Sequence, residues 1–169
     1  SEFPARFQLI AAMNPCPCGY LGSNLRVCRC TPDQVVRYQG RLSGPLMDRI
    51  DLHVEVPSVA AADLLHTASG DGTATLRARC AQARSHAIER QGKPNQALQG
   101  LEIDHQVKLA APAADFLRAA ADRLGWSSRG THRALKVART IADLAGSNTT
   151  EVVHLAEAIQ YRRALKQVN

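Results

Sequence analysis

Cys16-x-Cys18 and Cys28-x-Cys30, separated by nine residues, bring four sulfurs into two close pairs. Four soft ligands suit a tetrahedral zinc ion, and because four thiolates leave no open coordination position, an ion held there is structural rather than catalytic. Gly19 and Gly22 let the intervening loop fold back. Zinc pairs are usually spaced by roughly two to four residues, so each Cys-x-Cys is tighter than the norm. Free thiols are the alternative, because disulfides are rare in a reducing cytosol. With zinc bound, Arg26 and Arg29 are displayed on the loop between the pairs.

Three further polar side chains have chemical use. Asn14 ends an apolar run, where an open parallel sheet presents its ligands, and its amide can orient a water; an asparagine after a strand is also an ordinary turn residue. Arg49 follows Pro45-Leu46-Met47-Asp48 and precedes an alternating segment, so its guanidinium sits at a rim where it can meet phosphoryl oxygens across a subunit boundary. An ion pair with Asp48 or Asp51 is the plainer alternative. Arg129 opens a helix whose polar side carries His132, Arg133, Lys136 and Arg139, either facing a phosphate or as part of a solvated basic face.

The elements that must position these groups follow from the hydrophobic pattern. Residues 7–13, FQLIAAM, read as a strand covered on both faces. Thr31-Pro32-Asp33-Gln34 supplies an N-cap, a proline at the first helical position and a capping box, predicting a helix over 32–42. A short helical turn is expected through Met47 and Arg49. Ile50, Leu52, Val54 and Val56 then alternate with polar residues as a half-covered strand. Helical periodicity dominates from there. Leu76, Cys80, Ala83 and Ala87 share one face of a helix stopped by Gly92, with Cys80 expected in the core; 92–103 reads as a linker. Ala113, Leu117, Ala120 and Leu124 form a stripe ending at Gly125, and a helix over 128–145 is expected to bury Ala134, Val137, Ala138, Ile141 and Leu144. Asn148 is expected to cap a last helix burying Val152, Leu155, Ala156 and Ile159, with Glu151 completing the box. The histidines show no ligand spacing and read as structural.

The predicted class is mainly α with a small β part: a sheet-bearing region over 1–95 that includes the cysteine insert at 16–30, and a helical lid bundle over 96–169. A chain of 169 residues with 45% hydrophobic content can bury one core or two small ones. No run approaches the ~18 apolar residues of a membrane span and no secretory pattern opens the chain, so it reads as cytoplasmic with no membrane partner. A net charge of +6 makes a polyanion a fitting partner, and an aromatic content of 4% favours contact with phosphate over base stacking.

Together MNPCPCGYLG, CRCTPDQVVRYQGRLSGPLMDRIDLHVEVP and SSRGTHRALKVARTIADLAG resemble the C-terminal half of the magnesium-chelatase-like AAA+ ATPases of the ComM family. That resemblance implies Asn14 as the sensor 1 residue, Arg49 as the arginine finger and Arg129 as the sensor 2 arginine of the lid. It implies ATP and Mg2+ as the ligands of the parent protein, a homo-oligomeric ring, expected to be a hexamer, and a DNA-remodelling motor serving competence and recombination. The G-x-x-x-x-G-K-[ST] loop and an apolar strand ending in Asp-Glu are missing from the sequence, so this stretch by itself is not expected to hydrolyse ATP. Two alternatives stand beside the DNA motor. One is the motor subunit of a magnesium chelatase, against which the paired cysteines after Asn-Pro count; the other is a stand-alone zinc-bearing nucleic-acid-binding module, against which a bare half-sheet counts.

Overall fold

The computed structural model describes residues 7–57, 59 and 70–162. The chain divides into two compact units, one built on residues 1–43 with 56–66 and 167–169, the other on 44–55 with 67–166. Seven α-helices are defined among the described residues: α1 (Pro32–Gln39), α2 (Gly44–Arg49), α3 (Thr73–Gln91), α4 (Leu101–Val107), α5 (Ala111–Leu124), α6 (Ser128–Leu144) and α7 (Val152–Gln160). The mainly helical class is therefore what the chain adopts. No helix among the described residues is long and apolar enough to cross a membrane.

The first unit holds the cysteine loop and α1. The Thr31 hydroxyl accepts from the Gln34 amide while the Gln34 side chain accepts from Thr31 N–H, so the capping box forms with Pro32 at the first position. The helix ends at Gln39, short of the expected 42. Gln39 Nε2 donates to the Pro15 carbonyl at 2.9 Å and ties α1 to the start of the cysteine loop. Val35 and Cys16 are the buried residues described in this unit.

The segments expected as strands do not form them. Neither 7–13 nor 50–56 enters a ladder among the described residues, whose β structure is one parallel bridge between Leu109 and Thr150. A strand exists only through its neighbour's ladder of hydrogen bonds, and among the described residues no such ladder forms on these segments. Their apolar side chains are correspondingly exposed, Ile10 at 85% and Val56 at 84%.

The second unit has the larger core. Leu98, Ile103, Val107, Ala113, Leu117, Leu135, Ala138, Leu155 and Ala158 pack together, with Phe116, Val137 and Ile141 against them. Each fully buried Leu or Ile contributes roughly 1.5–3 kcal/mol relative to exposure. Helices start and stop where sequence chemistry directs: Ser127 accepts from Gly130 N–H at the head of α6, and Gly92 and Gly125 take left-handed conformations at φ 73° and 61° behind α3 and α5.

Four local expectations are corrected. Residues 92–103 are not a linker: a 3-10 turn over Asn95–Ala97 and the start of α4 place Leu98 and Ile103 in the core. Cys80 is exposed, as is Leu76, because only the half of α3 around Ala83 and Ala87 is buried. The cap of α7 is Glu151, whose box partner is His154, so Asn148 and Glu151 do not form the expected pair. Leu144 lies exposed while Arg139 and Asp143 of the same helix are buried. Arg139 donates to Asp143 Oδ1 at 2.9 Å and to the Ser147 and Asn148 carbonyls, and Arg90 of α3 meets both Asp143 oxygens at 2.6 and 3.0 Å. Asn95 completes the network through Asp143 and Thr140.

Candidate functional site

The four spaced cysteines converge. Their sulfurs all lie within 4.8 Å of one another, with Cys16 to Cys18 at 3.4 Å, Cys18 to Cys28 at 3.5 Å and Cys16 to Cys28 at 3.7 Å. Disulfide sulfurs sit about 2.05 Å apart, so these are free thiols. A Zn–S bond of about 2.3 Å in a tetrahedron sets its sulfurs roughly 3.8 Å apart, close to the distances here. The donor set thus fits a tetrahedral metal ion. Two tight turns make the short Cys-x-Cys spacing workable: Gly19 N–H donates to the Cys16 carbonyl at 3.0 Å, with Gly19 at φ 81° and Gly22 at φ 77°.

The surrounding backbone favours charge on one sulfur. Amides of Tyr20 and Arg29 point at Cys18, and with help from the neighbouring thiols they lower its pKa to about 6. Cys30 also receives an amide, from Cys18, but burial and the adjacent sulfurs outweigh it and push the thiol up to about 12. One cluster therefore presents a ready thiolate next to a thiol that only a metal would deprotonate at neutral pH.

Among the described residues, four arginines belong to the same unit as this cluster. Arg26 stacks on the Tyr20 ring at 5.2 Å and donates to its hydroxyl at 3.3 Å. Arg37 and Arg41 line an open groove of about 390 Å3 with Pro17, Gln34 and Tyr38. None of Arg26, Arg29, Arg37 and Arg41 joins an ion pair among the described residues.

The other three singled-out residues divide between the units. Asn14 is exposed in the first, its amide beside Gly19, where a side-chain carbon on that glycine would come within 3.7 Å of it. Arg49 and Arg129 belong to the second unit, and both are exposed. The ion-pair alternative for Arg49 is not what forms. Asp48 pairs with Arg162 at 3.2 Å and Asp51 with Arg133 at 2.5 Å, while the Arg49 guanidinium donates to the Pro45 carbonyl at 2.8 Å. Arg129, second residue of α6, makes no ion pair among the described residues.

Sequence reasoning left Arg133 on a basic helix side that either faces a phosphate or is solvated, and it passed over Arg162.

The C-terminal model of magnesium chelatase subunit ChlI matches residues 70–162, more than half of the chain. The chain belongs to the magnesium chelatase subunit ChlI family. The model for the preceding part of that subunit matches residues 1–64. Among its relatives, competence protein ComM of Haemophilus influenzae is 46% identical over 167 residues, 98% of this chain and 32% of that protein. YifB of Escherichia coli is 45% identical over 161 residues, 95% of this chain and 31% of the relative. Rv2897c of Mycobacterium tuberculosis is 37% identical over 165 residues, again 95% and 32%. The chain spans about a third of the length of the curated relatives it matches.

Proposed function

We propose that this chain is the C-terminal part of a ring-forming AAA+ ATPase that remodels DNA, in which Arg49 acts as an arginine finger. The observation that carries this reading is the state of Arg49. It stands exposed between two carboxylates, yet both are neutralised by other arginines, which leaves its guanidinium available to a phosphate. Arg49 of one subunit donates to the transferring phosphoryl group of ATP bound by the next, where negative charge grows in the transition state. Asn14 orients the attacking water. Arg129, at the N-terminal end of α6, senses the phosphates and links nucleotide state to the lid. The four cysteines hold structural Zn2+ that fixes the loop carrying Arg26 and Arg29.

The unpaired arginines of the cysteine unit favour DNA over porphyrin chemistry as the object of the motor. Binding phosphate needs cations that the protein has not already neutralised. The chelatase reading draws on the family alone.

The test is ATP turnover by the longer protein, with its upstream phosphate-binding half, in the presence of branched DNA. Arg49→Ala is expected to lower turnover on the order of 10³- to 10⁵-fold while nucleotide binding persists. Unchanged turnover would remove Arg49 from the mechanism, and stimulation by porphyrin instead of DNA would favour the chelatase motor.

A further inference from the structure

We infer that Arg133 and Arg162 are positioning residues that aim Arg49 from the lid bundle, an inference that rests on the reading of Arg49 as a finger. Helix α2, which ends in Arg49, has six residues and buries none of them. So short a helix is marginal on its own, and polar interactions that reach its end help to place it. Several of them come from the helical bundle. Arg133 of α6 donates through Nη1 to the Arg49 carbonyl at 2.6 Å and to Asp51 at 2.5 Å. Arg162, just beyond α7, donates to the Ile50 carbonyl at 3.4 Å and to Asp48 at 3.2 Å. His53 N–H donates to the Tyr161 carbonyl at 2.7 Å and fixes the exit of the same segment.

The two arginines thus take consecutive carbonyls, those of residues 49 and 50, and the two flanking carboxylates. A planar guanidinium bridging a carbonyl and a carboxylate fixes direction as well as distance. Arg162 is itself held: its side chain is 6% exposed and its guanidinium lies 5.8 Å from the centre of the Trp126 ring. Asp48 and Asp51 are 41% and 58% exposed, and pairs with one partner so exposed add little stability, so geometry is the better account of them.

The position of Arg133 adds a consequence. It lies four residues after Arg129, on the same face of α6, so a shift of α6 caused by phosphate at Arg129 reaches the Arg49 backbone through one hydrogen bond. The residue proposed to sense nucleotide and the residue proposed to act on it are joined by one helical turn and one guanidinium.

The experiment is single-turnover ATP hydrolysis by the longer protein carrying Arg133→Gln, Arg133→Lys, Arg49→Ala, or Arg133→Gln with Arg49→Ala. Arg133→Gln is expected to lower the rate of hydrolysis by about 10- to 100-fold with little change in ATP binding, the scale of a misplacement near 1 Å. Arg133→Lys, which keeps the charge but not the planar fork, is expected to recover only part of that loss. In the Arg49→Ala background Arg133→Gln is expected to have no further effect, because a residue that acts only through Arg49 has nothing left to aim. Multiplying losses, or a silent Arg133→Gln beside a crippling Arg49→Ala, would overturn the positioning role. A silent Arg49→Ala would instead overturn the finger on which it rests.

Discussion

The two compact units differ in how many of their arginines meet a carboxylate. In the helical unit Arg79, Arg90, Arg118, Arg133, Arg139 and Arg162 each meet a carboxylate, and a continuous apolar core lies among α4 to α7. In the cysteine unit Arg26, Arg29, Arg37 and Arg41 meet none, Asp33 is the one acid among the described residues, and little besides Cys16 and Val35 is buried. The helical unit pairs these six arginines internally, whereas Arg49 and Arg129 of the same unit join no ion pair among the described residues. Among the described residues the cysteine unit brings four sulfurs together and leaves four guanidiniums without a carboxylate, which is why a cation is proposed for the first and a polyanion for the second.

The sharpest way to break this contrast is to remove the ligands of the proposed metal. Cys16→Ser is expected to reduce zinc, measured by elemental analysis of reduced protein, from about one ion per chain to near none. Structural zinc sites supply roughly 10–16 kcal/mol of apparent binding energy. Chelation should therefore expose residues 16–43 to protease while the fragment from α3 to α7 survives. Loss of both units together would show that the helical one is not self-sufficient. Next in size is Asp143→Ala, which strands Arg90 and the fully buried Arg139 without their carboxylate. A broken buried pair costs roughly 3–5 kcal/mol, to be read by urea unfolding of the helical unit with its zinc content unchanged.

The same carboxylate gives a pH dependence. Burial raises the Asp143 pKa, but hydrogen bonds from Arg90 and Asn95 and the Arg139 charge outweigh it and hold the group below its usual value. A carboxylate that is more acidic folded than unfolded stabilises fully above the ordinary range of about 4 and loses that contribution as pH falls through its folded value. Stability of the helical unit should thus decline on acidification below pH ~4, less steeply in Asp143→Asn. A smaller effect is expected on the other side of the contrast. Replacing Arg37 and Arg41 by Gln should lower the salt slope of duplex DNA binding by about 1 for each phosphate left without its cation, whereas Arg118→Gln, in an exposed pair, should change stability by less than ~1 kcal/mol. An unchanged slope would place the DNA-binding surface elsewhere.

What the sequence made legible was local. The Thr31–Gln34 box, the glycine stops at 92 and 125 and the convergence of four cysteines all follow from short-range chemistry and appear in the structure. What it hid depended on partners far along the chain. Arg139 read as the polar side of α6, yet it is buried together with Asp143, whose hydrogen bonds Arg90 and Asn95, some fifty residues earlier, complete. Cys80 fits the apolar face of α3 by period, but nothing in that pattern says where the bundle stops covering the helix. Residues 7–13 and 50–56 carry strand patterns whose expression depends on a pairing neighbour, a property that no single segment encodes. The pairing of Asp48 and Asp51 was hidden for the same reason, and it is what distinguishes an available Arg49 from a neutralised one.

Action of Arg49 across a subunit boundary can be tested most directly by mixing two inactive forms of the longer protein. One carries Arg49→Ala; the other keeps Arg49 but has its upstream phosphate-binding loop disabled. If the guanidinium serves the neighbouring subunit, mixed rings should recover ATP turnover, because each form supplies what the other lacks. Mixtures as inactive as their parents, despite demonstrated co-assembly, would contradict it.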